Sequence, residues 1–356
     1  MSARIFLIYR RSVSEGLASI LKDYLQRIEL SLLSQSRPVL RDHALIVLTP
    51  GALERCAEPK DAMRAVLREV HQRNARLVKL ISPHFDLADQ ARYAADLPLG
   101  EAEPLPLDYK DWERTLQNLQ GVFGTNATLP PLSAAQRAQL DAQAWFERAL
   151  SLPADDLAGK FAAYGEALRS YPEFAEAYAR RGGAHLANGD LAACLADCEA
   201  ALRLNPNLPE AYHVRAMAQA RQQNYAEAIA GYTAALRVDA RNARIFVNRG
   251  AARANSGDLD GAIEDYSAAL DLNPRLAEAY FNRSLAYSLR DNFEAAIQDY
   301  AQAMALNLNT RQAADAADIG KTVAYLERML ARFPDHPKAE AIKSEIERLR
   351  GLAAQT

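Results

Sequence analysis

The sequence predicts a doubly wound, parallel α/β sheet domain followed by an all-α superhelix of repeated helix pairs. Three observations carry this prediction. Apolar runs of strand length alternate with helical patterns over residues 1–125. A period of 34 residues runs through the second half of the 356-residue chain. Alanine becomes frequent after residue 133, beside the pair Pro130–Pro131, and this shift marks the boundary between the two halves.

The N-terminal half alternates strands and helices in a regular order. Strands are predicted at 4–9, 30–33, 44–49, 77–81 and 104–108, and helices at 14–27, 60–74 and 112–122. The run Ala44–Thr49 is apolar almost throughout, as is typical of a strand buried on both faces of a parallel sheet. Such alternation favours a flavodoxin-like sheet, whose ligands bind at the carboxyl ends of the strands. GxGxxG and P-loop motifs are absent from the sequence.

The C-terminal half repeats itself in four aligned columns. An aromatic column, an arginine column, a second largely aromatic column and an alanine column each recur every 34 residues: Tyr178, Tyr212, Phe246, Tyr280; Arg181, Arg215, Arg249, Arg283; Cys198, Tyr232, Tyr266, Tyr300; Ala201, Ala235, Ala269, Ala303. Each unit reads as two amphipathic helices. A turn such as Gly189-Asp190 or Gly257-Asp258 separates them, with glycine ending one helix and aspartate capping the next.

These columns resemble the tetratricopeptide repeat (TPR), whose 34-residue unit carries the same residue types at the same offsets. The resemblance covers about 175–310, with a degenerate copy before it. We therefore expect an α/β domain at 1–125, a linker at 126–140, and a TPR solenoid of about five or six repeats at 141–335. The amphipathic segment 336–356 is expected to form a capping helix.

Stacked repeats of this kind form a concave face from their first helices. In this register the expected peptide groove carries Arg180, His213, Met217, Asn248, Phe281 and Asn282. The resemblance implies that an asparagine at the position of Asn248 and Asn282 holds the backbone or carboxylate of a bound peptide. The alternative is that these amides only cap or solvate the helix. The arginine column is expected to cover neighbouring helices rather than to bind a ligand.

The N-terminal half resembles a TIR domain. The opening IFLIYRRS is similar to the first box of that family, and LTPGALERC at 48–56 is similar to its third strand and following loop. The resemblance implies assembly through loops and, in many members, cleavage of NAD⁺ at the bond between nicotinamide and ribose. The chain departs from the family after its second strand. Only Ser34–His43 stands where a TIR domain has a long loop and a helix.

The resemblance implies one catalytic glutamate on the helix after that loop, and Glu69 is the candidate. A carboxylate near the ribose would stabilise the oxocarbenium charge that develops when an N-glycosidic bond breaks. Counting forward from Pro50 selects Glu69, whereas counting back from the strand at 77–81 selects Val66. The alternative for Glu69 is an exposed helix carboxylate. The residues expected to hold the dinucleotide are Tyr9, Arg10 and Arg11.

Composition and charge limit which partners, which compartment and which metal or cofactor sites are expected. The net charge of −3 argues against nucleic acid or an anionic membrane as the main partner. The longest apolar runs are far shorter than a bilayer span of about 20 residues. Three cysteines do not make a disulfide framework, so we expect a cytoplasmic protein. The six histidines are scattered without ligand spacing, so we expect no metal and no resident cofactor, with NAD⁺ entering only as a substrate.

Three functions were weighed from these patterns. The first is an interaction and signalling protein of bacterial defence, whose repeats bind a protein or peptide and whose TIR-like domain mediates homo-oligomeric assembly. The second is an NAD⁺ glycohydrolase regulated by its repeats. The third is a structural solenoid joined to an unrelated flavodoxin-like domain. Enzyme activity therefore stays an open alternative at this point.

Overall fold

A computed structural model describes residues 4–8, 17–18, 20–22, 31–32, 43–50, 62–72, 76–85, 99, 103–123, 131–306 and 339–353, with further residues between 323 and 334. Strands are β1 Arg4–Ile8, β2 Ser31–Leu32, β3 His43–Leu48, β4 Arg76–Ile81 and β5 Glu103–Pro106. The helices associated with the sheet are α1 Ala62–Gln72 and α2 Trp112–Phe123. The following helices are α3 Ala134–Ser151, α4 Leu157–Ser170, α5 Ala175–Ala187, α6 Leu191–Leu204, α7 Pro209–Arg221, α8 Tyr225–Val238, α9 Ala243–Asn255, α10 Leu259–Leu272, α11 Ala277–Leu289, α12 Phe293–Ala305 and α13 Ala339–Ala353.

The five strands form one parallel sheet in the order β2-β1-β3-β4-β5. This is the strand order of flavodoxin-like sheets. In the register, Ile5 of β1 lies opposite His43 of β3, and His43 lies opposite Arg76 of β4. The residues Leu45–Leu48 of the central strand β3 have no exposed surface, as the apolar run predicts. Each strand lies within a few residues of its predicted position.

One face of the sheet is covered by helices α2 and α3. Alternate residues of β3 and β4, which point to the same face, share a buried cluster with residues of both helices. The cluster includes Leu45, Val47, Val78, Leu80, Trp112, Leu116, Leu119 and Leu140. Leu140 belongs to α3, so the first helix of the helical region is part of the core of the sheet.

Helix α3 begins at Ala134, inside the segment 126–140 for which a linker was expected. Ser133 caps it, accepting a hydrogen bond from the backbone N–H of Gln136, whose side chain accepts one from the backbone N–H of Ser133. This reciprocal capping box satisfies two N–H groups that the first turn leaves without helical partners. The other side of α3 packs against α4 through Phe146 and Tyr164, with ring centroids 5.9 Å apart. Helix α3 therefore contributes to two hydrophobic cores, that of the sheet and that of the first helix pair.

The remaining helices pack in consecutive pairs within two compact units, 1–218 and 219–356. In the first unit α3 contacts α4, α4 contacts α5, and α5 contacts α6. In the second unit α8 contacts α9, α9 contacts α10, α10 contacts α11, and α11 contacts α12. The expected helix pairs are confirmed over 157–305. Among the described residues, none of the helices has the length and apolar character needed to cross a membrane.

The turn between the two helices of a repeat has the same backbone conformation four times. Gly189, Gln223, Gly257 and Asp291 have φ angles of 79°, 63°, 92° and 58° and stand 34 residues apart. This left-handed conformation suits glycine, and side chains at the other two positions carry a backbone cost. Asp190 and Asp258 cap the following helices, accepting hydrogen bonds from the N–H of Ala193 and Gly261 at 3.0 and 2.9 Å. The predicted turn chemistry is confirmed.

The left-handed turn predicts a stabilising substitution. Gln223→Gly should raise the free energy of unfolding by about 1 kcal/mol, because glycine adopts this φ without a Cβ clash. The neighbouring Gln222→Gly is the matched control, since the φ of Gln222 is not positive. The measurement is urea unfolding followed by circular dichroism. A gain in Gln222→Gly equal to that in Gln223→Gly would contradict the conformational explanation.

Candidate functional site

The arginine column of the repeats is bound internally by a column of aspartates. In three repeats the guanidinium of the first helix donates two hydrogen bonds to a carboxylate of the second helix, 16 residues later. The paired bonds measure 2.8 and 2.7 Å for Arg181–Asp197, 2.9 and 2.6 Å for Arg249–Asp265, and 2.6 and 2.8 Å for Arg283–Asp299. We call these pairs the Arg–Asp ladder. This fork geometry is the strongest ion-pair arrangement that arginine makes.

Other groups complete the environment of the ladder arginines. The Nη1 of Arg249 donates to Thr233 at 3.1 Å, and the Nη1 of Arg283 donates to Ser267 at 2.8 Å. Each guanidinium also lies over the aromatic ring three residues earlier, as Arg283 does over Tyr280 at 5.7 Å. The hydrogen bonds to Asp299 raise the pKa of Arg283. The ladder is therefore a packing device, as expected for this column.

One repeat breaks the ladder. Sixteen residues after Arg215 the sequence has Gly231, where the other repeats have aspartate. Arg215 lies over the ring of Tyr212, 5.4 Å from its centroid. Its Nε is buried, and it has no hydrogen-bond partner within the part of the chain that the structure describes. The repeat starting at α7 therefore lacks the clamp that joins the two helices of its neighbours.

Within residues 1–218, three predicted groove residues lie on the first helices α5 and α7. Arg180 forms an ion pair with Glu210, with Nε and Oε1 3.0 Å apart, and both side chains are half-buried. His213 is half-buried. Met217 packs against the cluster that contains Val214. The charge of Arg180 is thus already balanced by a carboxylate of the next first helix.

Within residues 219–356, the predicted groove residues lie on α9 and α11, which contact each other. Asn248 and Asn282 occupy the same position of these two helices, and both are half-buried. Phe281 packs against Tyr300 of α12, with ring centroids 6.1 Å apart. We call Asn248, Asn282 and the exposed part of Phe281 the amide face. It carries neutral hydrogen-bonding groups beside an aromatic ring.

The expected N-terminal site is only partly described. Tyr9, Arg10 and Arg11 lie outside the described residues. Glu69 belongs to helix α1, but its side chain lies outside the described part of the chain. Val66, the alternative position, lies on the same helix and is half-buried. Helix α1 follows β3 in the sequence and leads to β4.

The repeat cysteines have the character of core residues. Cys194 and Cys198 lie four residues apart on α6, are fully buried and are not in a disulfide. The hydrogen bond to Cys194 and burial raise the pKa of the Cys198 thiol. A Cβ added to Gly182 would lie 3.2 Å from the Cys198 sulfur, so the two helices approach closely here. Over the described ranges, no group of three or more His, Cys, Asp or Glu is placed to hold a metal ion.

Sequence reasoning missed a buried polar cluster at the junction of the sheet and the repeats. Glu147 of α3 is fully buried and accepts hydrogen bonds from the hydroxyls of Ser82 and Tyr109, and from Nε2 of Gln143 at 2.8 Å. Ser82 follows β4, and Tyr109 follows β5. The only signal in the sequence is helical spacing, since Leu140, Gln143 and Glu147 share the sheet-facing side of α3.

Comparison with known families identifies the repeats. Three models of the tetratricopeptide repeat match the chain, at residues 162–209, 252–290 and 277–310. The TPR prediction is thereby confirmed for this region. No TIR-domain model matches the sequence. No curated protein matches it either.

Several solved structures share part of the backbone. MamA is 21% identical, with 44% of this chain and 92% of that chain covered and a TM-score of 0.40. YrrB, titled a TPR protein with an unusual peptide-binding site, is 21% identical, with coverages of 44% and 80% and a TM-score of 0.38. The pilF protein of Pseudomonas aeruginosa is 16% identical, with coverages of 62% and 95% and a TM-score of 0.49. The repeat assignment rests on the family models.

The Arg–Asp ladder predicts that removing one carboxylate charge strongly lowers the stability of the fold. Asp265→Asn should lower the free energy of unfolding by about 3 kcal/mol, because it leaves the half-buried cation of Arg249 without its carboxylate and removes one of the two carboxylates beside Arg253. Glu264→Gln, one residue earlier on the exposed side of α10, is the matched control and should be nearly neutral. The measurement is chemical unfolding. Equal stability of the two variants would show that the ladder does not hold the repeat together.

Proposed function

We propose that this protein is an interaction protein whose repeats bind a peptide or protein partner, with the amide face as the recognition surface. The observation that carries the proposal is that two adjacent residues of each of these first helices have different surroundings. Arginines Arg249 and Arg283 turn inward to the ladder, while the residue before each of them is an asparagine on the amide face. The surface is therefore neutral and able to form hydrogen bonds.

The chemistry of the amide face suits the main chain of a peptide. A carboxamide has both a donor and an acceptor, as a peptide group does, so two asparagines can pair with successive backbone groups. The aromatic ring of Phe281 supplies apolar contact for a side chain between them. No cation of the ladder competes for an acidic ligand, because each is held by an aspartate.

The first unit contributes a second set of first-helix residues to the proposed function. Arg180 and Glu210 form a charged pair there, flanked by His213 and Met217. A ligand that contacts this pair has to present both charges or leave the pair intact, since separating it strands a half-buried charge. We propose that this set is a separate partner-selecting surface within residues 1–218.

The proposal for the N-terminal domain is a TIR-like fold that mediates assembly of copies of this chain in bacterial defence signalling. Two observations support it. The sheet is parallel in the order 2-1-3-4-5, which a flavodoxin-like domain shares. The helix that carries Glu69 follows the central strand β3. We propose a cytoplasmic location because the described cysteines Cys194 and Cys198 are thiols rather than a disulfide.

The peptide proposal is tested with the full chain and a selected ligand. A random peptide library displayed on phage is selected on the immobilised protein, and the affinity of the selected peptide is measured by calorimetry. The double variant Asn248→Ala, Asn282→Ala should weaken binding at least tenfold, since each lost hydrogen bond contributes about 1 kcal/mol. Gln302→Ala, an exposed amide on the second helix α12, is the matched control and should leave affinity unchanged.

The outcome is decided by the comparison of the two amide variants. Equal affinity of the double variant and the wild type would place the peptide elsewhere on the molecule. A library that yields no binder at micromolar concentration would overturn the peptide proposal. Circular dichroism of both variants verifies that the repeats stay folded.

A second candidate function is hydrolysis of NAD⁺, favoured by one placement. In a parallel sheet the carboxyl ends of the strands share an edge, so the segment after β1, with Tyr9–Arg11, and the segment between β3 and α1 leave from the same edge. A carboxylate on α1 and cations after β1 suit the ribose and the diphosphate of a dinucleotide.

The NAD⁺ candidate predicts nicotinamide release that depends on one carboxylate. Concentrated full-length protein should release nicotinamide from NAD⁺, detected by chromatography, and Glu69→Gln should lower the rate at least 100-fold, as loss of an electrostatic stabiliser does in other enzymes. Glu113→Gln, an exposed carboxylate on α2, should keep the full rate. Release that persists in Glu69→Gln would exclude Glu69 as the catalytic group. Absence of release from the wild type would leave the interaction function alone.

A further inference from the structure

The carboxylate of Glu147 joins three parts of the fold. Its two oxygens accept hydrogen bonds from Ser82, just after β4, from Tyr109, just after β5, and from Gln143, one turn earlier on α3. Ser82 in turn accepts a hydrogen bond from the backbone N–H of His84 at 3.1 Å. Glu147 has no exposed surface, and Ser82 and Tyr109 are buried as well. The segments at this junction of the sheet and the first repeat helix are therefore joined through hydrogen bonds to one carboxyl group that has no contact with solvent.

Within the described ranges, this carboxyl group has no cationic partner. Among the residues that the structure describes, no lysine, arginine or histidine forms an ion pair with Glu147. The titratable and charged groups on the elements packed around it include His84 after β4, Tyr109 and Asp108 after β5, Lys79 on β4, and Arg148 on α3; the same elements also carry Arg76, Lys110, Asp111, Arg137 and Asp141. Asp108 binds the backbone N–H of Lys110 at 2.9 Å, and Arg148 lies over the ring of Trp145. Lys79 alternates with Val78 and Leu80 and so points to the other face of the sheet.

An ionised group in such a place is costly. Burial raises the pKa of Glu147 to about 7, although the hydrogen bonds from Ser82, Tyr109 and Gln143 oppose the rise. In the opened junction, where water reaches the group, its pKa returns to the ordinary value of 4.5. Because the closed junction has the higher pKa, it binds the proton more tightly than the opened one does.

We propose that Glu147 is a proton-operated latch that holds the segments after β4 and β5 to helix α3. The acid form of Glu147 closes the latch, and the carboxylate form weakens it. In the carboxylate form the Ser82 hydroxyl donates to Glu147 Oε2, and in the acid form the added proton on Glu147 can donate to Ser82 Oγ, so the two oxygens stay hydrogen-bonded. What differs between the two forms is the cost of burying the charge. The latch goes beyond the proposed function, because it needs neither a partner nor NAD⁺.

The sign of the pH dependence follows from the raised pKa of Glu147. The stabilisation by the latch is complete below pH 4.5, is lost as pH rises towards about 7, and changes little above that. Acidification from neutral pH therefore tightens the connection between the sheet and the repeats. The pH interval of this change, from 4.5 to about 7, overlaps the interval in which histidine side chains gain or lose a proton.

Hydrogen exchange of the full chain between pH 5 and pH 8, read by mass spectrometry, tests the latch. The reporters are the amides of Ser82, Phe85 and Leu107, which bond to Leu48, Ser82 and Ile81 at the strand ends. Their protection factors, corrected for intrinsic exchange, should fall in the wild type on the order of 100-fold between pH 5 and pH 7.5. Glu147→Gln, which is neutral at every pH, should show nearly constant protection. Glu199→Gln, an exposed glutamate on α6, should behave as the wild type does.

Two results would overturn the latch. One is wild-type protection that is as constant with pH as that of Glu147→Gln, and the other is loss of the pH dependence in Glu199→Gln. If Glu147→Gln does not fold, the variant Tyr109→Phe provides the test of the latch. It removes one donor to the carboxylate, so the midpoint of the loss of protection should move to higher pH. An unchanged midpoint in Tyr109→Phe would also refute the proposal. None of these readouts involves peptide binding or nicotinamide release, so failure here is distinct from failure of the proposed function.

Discussion

The architecture of the first unit depends on the two-sided burial of helix α3. One side of this helix contributes Leu140 to the core of the sheet, and the other contributes Ala142, Phe146 and Ala149 to the core of the first helix pair. A helix that is apolar on two sides cannot rotate about its axis without exposing one of them. The sheet therefore determines the orientation of the first repeat, and α4 and α5 follow by stacking. Glu147, on the sheet-facing side with Leu140, is the polar group that this arrangement encloses.

The two amphipathic helices of each repeat are held together without a large hydrophobic core. The repeats bury small residues such as Ala262, and two of them place a glycine, Gly182 or Gly250, where the two helices nearly touch. A Cβ added at Gly250 would lie 2.7 Å from the ring of Tyr266. The Arg–Asp ladder supplements this packing with bidentate ion pairs such as Arg249–Asp265. The arginine charges of these helices are therefore used internally.

The N-terminal sheet and the repeats relate to function in different ways. A parallel sheet gathers the carboxyl ends of its strands along one edge, so chemistry there depends on which side chains leave β1 and β3. A repeat surface depends instead on residues that recur at one position of successive first helices, as Asn248 and Asn282 do. Because Leu140 of α3 lies in the core of the sheet, the first helix of the helical region is held to the sheet by buried contacts.

The sequence by itself determined the features that are periodic or local. The 34-residue columns predict the helix pairs, Gly257-Asp258 predicts a left-handed turn and a cap, and the apolar run at 44–49 predicts the central strand. Only the tertiary structure decided which groups meet across distance. Glu147 binds Tyr109 and Ser82, which are 38 and 65 residues away, and no periodicity relates such positions. The side of helix α1 that faces the interior is likewise set by packing, since Leu67 and Val70 are buried there.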